Sequence, residues 1–191
     1  MSGGRQTEEA AERLLREAGA LLEGHFQLAS GRHSGVYVEK FRLLERPPQT
    51  DALCRMIADW ARDLSPQVVA GPTTGGIIIS YEVARHLGLR SIFAENAERG
   101  GRSFQRRFTI APGERVLVVD DVLTTGGSVR DVLEAVRAMG GETVAVAVLI
   151  DRSGGRTDFG VPFFSCLALD LPSYEPDGCP LCERGLPLTI T

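Results

Sequence analysis

The stretch that decides the fold is RVLVVDDVLTTGGSVRD, residues 115–131. Its VLVV run at 116–119 is β-branched and aliphatic, which is typical of a parallel strand buried on both faces. Two carboxylates, Asp120 and Asp121, follow at the predicted end of that strand, and a small-residue loop leads into a helix that Gly140 ends. Because ligands of open α/β sheets bind beyond the carboxyl ends of the strands, the pattern predicts a binding site here.

The loop after the two acids has the composition of a phosphate site. Thr124 and Thr125 offer hydroxyls, and Gly126 and Gly127 let the backbone approach a ligand and turn N–H groups towards it. Ser128 is predicted to cap the following helix, whose N-terminus favours a phosphate group. The alternative is a plain strand–loop–helix turn with capping aspartates; the combination of paired acids with TTGGS favours the phosphate site.

Composition limits the classes of function. The 191 residues are 43% hydrophobic and 24% charged, which fits one domain, 1–191, of ordinary soluble character. The net charge of −4 argues against a nucleic-acid partner, and no apolar run reaches the length of a membrane span. The first residues, MSGGRQTEEA, contain no apolar signal core, so we expect a cytoplasmic protein. Lys40 is the only lysine, so any mechanism that needs a catalytic lysine must use it.

Strands and helices alternate along the chain, which predicts an α/β fold around a parallel sheet. Helices are predicted over 7–22, 50–64 and 77–87, strands over 68–70, 91–94, 142–150 and 161–169, and a hairpin or two short strands over 25–40. A polar excursion at 95–107 is predicted to return as strands around Phe104, Phe108 and Ile110. The proline-rich remainder, 171–191, is predicted to be an irregular tail.

The four cysteines fall into two groups. Cys54 and Cys166 lie in apolar stretches and are predicted to be small core residues. Cys179 and Cys182 form C-P-L-C, which is half of a structural zinc site. The other half is missing unless a second subunit supplies it, so a reduced surface pair is favoured over a metal site.

The sequence VVDDVLTTGGS at 118–128 resembles the phosphoribosyl-diphosphate (PRPP) loop of type I phosphoribosyltransferases. The resemblance implies a central parallel sheet flanked by helices, with hood segments, here about 25–40 and 96–110, over its carboxyl edge. It also implies that two acids meet the ribose hydroxyls while the following residues hold the 5′-phosphate. The PRPP-binding residues implied by this loop are Asp120, Asp121, Val122, Leu123, Thr124, Thr125, Gly126, Gly127 and Ser128.

Two further segments take roles from the same resemblance. GPTTGG at 71–76 follows a predicted strand and matches the pyrophosphate loop, which places Thr73, Thr74 and Gly75 on PRPP. The excursion at 95–107 matches a flexible loop that closes over the diphosphate and, in a dimer, reaches the neighbouring site. Its candidate side chains are Arg99, Arg102, Arg106 and Arg107. Arg99 and Arg102 are predicted to be catalytic together with Asp120 and Asp121; arginine holds diphosphate oxygens well but donates no proton near neutral pH.

The N-terminal segment resembles the signature F-x-L-x-S-G-x-x-S-x-x-Y of orotate phosphoribosyltransferases. The matching residues are Phe26, Leu28, Ser30, Gly31, Ser34 and Tyr37. The resemblance implies that Ser34, Tyr37, Thr124 and Arg152 bind orotate, with Arg152 on its carboxylate. Two positions depart from many relatives: Ala29 replaces a lysine, which removes a charge that could have met the substrate, and Gly35 replaces a proline.

The implied reaction transfers phosphoribose from PRPP to N1 of orotate, giving orotidine 5′-monophosphate and diphosphate in pyrimidine synthesis. Mg²⁺ is the implied cofactor, held mainly through PRPP, so no residue is assigned as its ligand; a homodimer is the implied assembly. Two alternatives remain: a phosphoribosyltransferase for another base, and a non-catalytic PRPP-binding regulator. The N-terminal signature and Arg152 argue against the first. Neither a helix-turn-helix segment nor a basic surface supports a regulator that binds nucleic acid.

Overall fold

The computed structural model describes residues 2–28 and 30–191, with side chains from residue 5 onward; Ala29 lies outside the described residues. Two sheets organise the chain. The strands are β1 Leu21–Gln27, β2 His33–Val38, β3 Val68–Pro72, β4 Arg90–Asn96, β5 Arg102–Phe104, β6 Arg115–Leu123, β7 Glu142–Asp151, β8 Phe163–Ala168, β9 Ser173–Tyr174 and β10 Thr189–Ile190. The helices are α1 Ser2–Glu17, α2 Lys40–Leu44, α3 Pro47–Ala61, α4 Gly75–Leu87, α5 Gly127–Ala138 and α6 Pro180–Glu183, with short 3₁₀ turns at Arg62–Leu64 and Pro176–Gly178.

The main sheet has the order β5-β4-β3-β6-β7-β8 and is parallel except for β5, which pairs antiparallel with β4. Its central strands are buried on both faces, as the VLVV run predicts. Leu117 and Val119 point into one apolar cluster, with α1, α3 and α4, whereas Val116 and Val118 point into another, with α5. This alternation is the period of two that a strand imposes on its side chains. The predicted α/β class with a central, mostly parallel sheet is therefore confirmed.

The second sheet has the order β10-β1-β2-β9 and contains the predicted hairpin. The tail, predicted to be irregular, supplies both outer strands: β9 pairs with β2 and β10 pairs with β1. These strands cover the edges of the hairpin, which would otherwise expose unpaired backbone groups. The two predicted hood segments lie in different sheets, because residues 25–40 fall in or just after the hairpin while 96–110 extends the edge of the main sheet through β5.

Several predicted boundaries were wrong. The first helix ends at Glu17 rather than 22, because Gly19 has a positive φ of 66° that a helix cannot continue, and the leucines at 21 and 22 enter β1. Strand β6 does not end before the two acids; it stays paired with β7 as far as Leu123. Ser128 does not cap α5, which begins at Gly127 without a side-chain cap.

Smaller differences lie in two other segments. Helix α3 starts at Pro47 rather than 50, because proline suits the first turn of a helix. Phe108 and Ile110 follow β5 outside any strand; Phe108 makes an edge contact with Phe93. Among the described residues, no helix is both long and apolar enough to cross a membrane.

Candidate active site

A cavity of about 460 Å³ lies where the carboxyl ends of β3 and β6 meet the segment that follows β2. A small recess of about 50 Å³ adjoins it inside the β6–α5 loop, and Asp120, Val122, Thr124 and Ser128 line both spaces. The larger cavity is lined by Tyr37, Val38, Glu39, Lys40, Phe41, Pro72, Thr73, Thr74, Gly75, Asp120, Asp121, Val122, Thr124, Ser128 and Arg152. The recess is completed by Leu123, Thr125, Gly126, Gly127 and Val129. The structure thus gathers every residue predicted to bind PRPP into two adjoining spaces.

The two acids sit on β6 and are both buried. The backbone holds each carboxylate in place: the N–H of Asp121 donates to Asp120 Oδ1 at 2.8 Å, and the N–H of Val122 donates to Asp121 Oδ1 at 2.6 Å. Because these bonds fix the carboxylates within the strand, the acid pair is positioned before any ligand arrives.

Lys40 forms an ion pair with one of these acids. Its Nζ lies 2.9 Å from Oδ2 and 3.2 Å from Oδ1 of Asp121, whose side chain is only 4% exposed, while the lysine side chain is 38% exposed. An ammonium group has three donors, so Lys40 can hold the acid and still face the cavity. No local pattern around Lys40 predicts its place in the site; the one signal is that Lys40 is the only lysine in an arginine-rich chain.

Burial makes the carboxyl group of Asp120 a weaker acid than an ordinary aspartate. Loss of solvation, followed by the charge of Asp121, raises the pKa of Asp120 to about 7, against the hydrogen bond from the Asp121 N–H and the charges of Lys40 and Arg102. This carboxyl group therefore changes protonation near neutral pH, and a ligand that donates hydrogen bonds to it favours the ionised form.

Another wall of the cavity is the turn between β3 and α4, where a cis peptide joins Thr73 and Thr74. A Cβ atom on Gly75 would lie 1.8 Å from Asp121 Oδ2, so only glycine allows the loop to approach the acid this closely. Arg102 Nη1 donates to Thr73 Oγ1 at 2.9 Å and to the carbonyl oxygen of Ala94 at 3.2 Å. Its Nε is buried and makes no hydrogen bond in the structure, which leaves a guanidinium donor beside this turn.

The other loop arginines lie elsewhere. Arg99 is exposed in the turn between β4 and β5 and does not line the cavity, because the pairing of β5 with β4 draws the segment to the edge of the sheet. Arg106 is paired with Glu95 at 2.8 and 3.0 Å, and Arg107 is exposed. Arg102 thus contacts a residue of the cavity wall, Thr73, although neither Arg102 nor Arg99 lines the cavity, and the catalytic role of both arginines stays a prediction.

The residues predicted to bind orotate divide in the same way. Tyr37, Thr124 and Arg152 line the cavity. Burial lowers the pKa of Arg152, and its backbone N–H donates to the carbonyl oxygen of Leu123 at 2.8 Å, which fixes the residue beside the phosphate loop. Ser34 does not line the cavity: it is buried, and its hydroxyl donates to the carbonyl oxygen of Val36 at 2.9 Å. The signature serine therefore serves the local strand geometry in this structure.

A larger groove of about 550 Å³ runs beside α4, but its surface is mostly apolar and includes Ile77, Ile78 and Tyr81. It holds neither the acid pair nor the glycine loops. The chemistry of the chain is therefore concentrated in the smaller, polar cavity.

Comparison with known proteins agrees with this geometry. Residues 42–175 match the family model described as the phosphoribosyl transferase domain, a span that contains the two glycine loops and the acid pair. The chain belongs to the phosphoribosyltransferase family.

Similar proteins narrow the class. The chain is 50% identical to the orotate phosphoribosyltransferase of Thermotoga maritima over 91% of this chain and 92% of the relative, and 48% identical to that of Desulforamulus reducens over 91% of each. The crystal structure of orotate phosphoribosyltransferase from Aeropyrum pernix matches with a TM-score of 0.68 and 30% identity, over 82% of this chain and 92% of that one. More narrowly, then, the chain is a member of the orotate phosphoribosyltransferases.

Proposed function

We propose that this protein transfers the phosphoribosyl group of PRPP to N1 of orotate, giving orotidine 5′-monophosphate and diphosphate. The observation that carries the proposal is the meeting of three sites in one space: the acid pair Asp120–Asp121, the recess at the N-terminus of α5, and the half-buried Arg152. Close relatives named orotate phosphoribosyltransferase support the same substrate.

The cavity offers a place for each part of PRPP. The 5′-phosphate fits the recess, where backbone N–H groups and the positive end of the α5 dipole favour an anion. Asp120 and Asp121 accept hydrogen bonds from the ribose hydroxyls. The diphosphate then faces the Thr73–Gly75 turn and Arg102, whose guanidinium binds anionic oxygens.

The chemical step needs positioning and charge stabilisation. The bond from ribose C1 to the diphosphate oxygen breaks, a bond from C1 to orotate N1 forms, and the N1 proton passes to diphosphate or water. Positive charge develops on the ribose ring, as in glycoside chemistry, and the carboxylates of Asp120 and Asp121 lie on that side of the substrate. Lys40 and Arg102 neutralise the departing anion, while Arg152 holds the orotate carboxylate so that N1 faces C1.

Mg²⁺ is part of this proposal. Within residues 2–28 and 30–191, no three histidine, cysteine or acidic side chains gather in the cavity, and Asp121 is already paired with Lys40. The donor set therefore fits an ion that Asp120 contacts at most singly and that binds mainly through PRPP oxygens, as Mg²⁺ does with phosphate substrates. When bound, the ion would neutralise the diphosphate.

A homodimer is also proposed. Tyr81 is 63% exposed and Ile78 is 42% exposed on the apolar groove beside α4. A second copy covering this face would bury these side chains. Sedimentation of the wild-type protein and of Tyr81→Glu tests the assembly. We expect a dimer for the wild type and a monomer for Tyr81→Glu. A wild-type protein that sediments as a monomer would contradict the proposal. The cytoplasmic location stays a prediction.

The activity is tested by mixing the purified protein with PRPP, Mg²⁺ and orotate and following orotate absorbance, with adenine, hypoxanthine and uracil as parallel acceptors. We expect loss of orotate absorbance and no product with the other bases. Turnover of another base instead would replace the acceptor in the proposal. PRPP binding without turnover of any base would refute the proposed enzyme activity and support the alternative of a non-catalytic PRPP-binding regulator.

A further inference from the structure

Four potential metal ligands converge on one point in the second sheet, away from the cavity. His25 and His33 come from the two strands of the hairpin, and Cys179 and Cys182 come from the tail segment at the start of α6. Their ligand atoms all lie within 4.8 Å of one another. The prediction of a reduced surface pair was wrong for Cys179, which is 1% exposed, and the missing half of the site comes from this same chain rather than a second subunit.

The distances fit a tetrahedral ion. His25 Nε2 lies 3.0 Å from His33 Nδ1, 3.6 Å from Cys179 Sγ and 3.7 Å from Cys182 Sγ, and Cys182 Sγ lies 3.3 Å from His33 Nδ1. Zinc bonds of about 2.0–2.1 Å to nitrogen and 2.3 Å to sulfur give ligand-to-ligand distances of about 3.3–3.8 Å at the corners of a tetrahedron. These four separations fall in or just below that range, and the other two of the six pairs are no longer than 4.8 Å.

The second contact of His25 fixes its ring in the ligating form. Its Nδ1 lies 2.9 Å from the carbonyl oxygen of Leu186, and because a carbonyl can only accept, Nδ1 carries the hydrogen. In the neutral ring Nε2 is then a bare lone pair that points at the two sulfurs. A backbone carbonyl in this position is the usual outer support of a metal-binding histidine.

We propose that His25, His33, Cys179 and Cys182 bind one structural Zn²⁺ ion. On binding, both thiols lose their protons to solvent, so two thiolates balance the charge of the ion and the site is neutral. Four protein ligands leave no open position, which is the arrangement of a structural rather than a catalytic zinc site.

The location of the site explains what the metal would stabilise. Strands β9 and β10 have two residues each, so backbone pairing alone holds the tail weakly to the hairpin. Zinc would fasten the tail across β1 and β2 and take the place of a hydrophobic core in this small sheet. Since β2 carries Tyr37 and leads into Lys40, the metal would also steady one rim of the cavity from the far end of that strand.

The first test measures the zinc content of the protein in the absence of PRPP and orotate. We expect about one zinc per chain in reduced wild-type protein, and tetrahedral, thiolate-type absorption bands after replacement by Co²⁺. Cys182→Ser should lower zinc content at least tenfold, whereas the control Cys54→Ala, which changes a buried core cysteine, should retain it. Asp51, Glu82 and His86 form a second group of potential metal ligands, which neither variant changes. Zinc bound at that group would therefore be retained in both variants.

The second test uses only the wild-type protein, so it depends neither on the folding of a variant nor on enzyme activity. Removal of zinc from the wild-type protein by a strong chelator should speed hydrogen exchange in 21–38 and 171–191 while β6 and β7 stay protected. Three results would overturn the proposal: reduced protein that neither contains nor takes up Zn²⁺, zinc retained in Cys182→Ser, or a Cys179–Cys182 disulfide in protein kept under reducing conditions.

Discussion

Replacing Asp120 by asparagine should change how stability depends on pH. Asparagine keeps the Oδ1 acceptor for the Asp121 N–H and removes the buried negative charge. Burial and the charge of Asp121 raise the pKa of Asp120 from 3.8 to about 7. Well below pH 3.8 the group is protonated in both the folded and the unfolded protein, so its contribution to stability is fully present there and is lost as pH rises through about 7.

The size of the effect follows from the pKa difference. Between pH 4 and 7 the unfolded chain has lost a proton that the folded protein keeps, which costs the wild type about 1.4 kcal/mol per pH unit. Asp120→Asn lacks this slope, so its unfolding free energy relative to wild type should rise by about 2 kcal/mol from pH 5 to 7 and level off above pH 7.

Urea unfolding at half-unit pH steps measures this difference. Titrating groups that do not face Asp120 are common to both proteins and cancel when the two profiles are subtracted. Asp63→Asn, which removes an exposed charge, gives the background. Parallel profiles for wild type and Asp120→Asn would refute the reasoning, because they would show that Asp120 ionises in the folded protein as it does in the unfolded chain.

Three further substitutions test the site. Gly75→Ala places a methyl group 1.8 Å from Asp121 Oδ2 and should lower kcat/KM for PRPP by about 100-fold. The control Gly178→Ala, where a Cβ meets nothing within 4 Å, should leave kcat/KM unchanged. Equal activity of the two variants would contradict the close approach of Gly75 to Asp121. Lys40→Met should lower kcat/KM for PRPP by about 10–100-fold with partial recovery in Lys40→Arg, and steady-state kinetics that do not distinguish the three proteins would exclude Lys40 from the site. Arg152→Gln should raise KM for orotate by about 10–100-fold, because a charged hydrogen bond of about 1.5–3 kcal/mol is lost, and should leave PRPP binding unchanged. Arg156→Gln, at an exposed arginine, is its control. An equal rise in KM for the control would argue against a specific contact between Arg152 and orotate.

Local sequence patterns are sufficient to predict the main sheet and the phosphate loop. The VLVV run and the residues of TTGGS lie close together in the chain, so their pattern contains most of the information needed to place them. Boundaries failed where a contact from elsewhere decides the structure: β6 continues through Asp120 and Asp121 because β7 lies beside it, and no pattern within 115–131 records that neighbour.

Long-range pairs account for the remaining differences. Lys40 lies 81 residues from Asp121 and Cys179 lies 154 residues from His25, and the residue types alone do not say which distant partner each one meets. C-P-L-C reads as half a site in the sequence because the two histidines that join it lie on the hairpin, without a metal-binding spacing. The tail looked irregular for the same reason, since its strands exist only against β1 and β2.

The ion pair between Lys40 and Asp121 has a consequence for handling the protein. Because Lys40 is the only lysine, amine-directed reagents have one side-chain target, and it lies in the wall of the candidate active-site cavity. Acylation there would remove the charge that faces Asp121. Coupling the protein to a support through lysine would attach it by its own binding site, and a lysine-specific protease would have a single cut to make, between the hairpin and the main sheet.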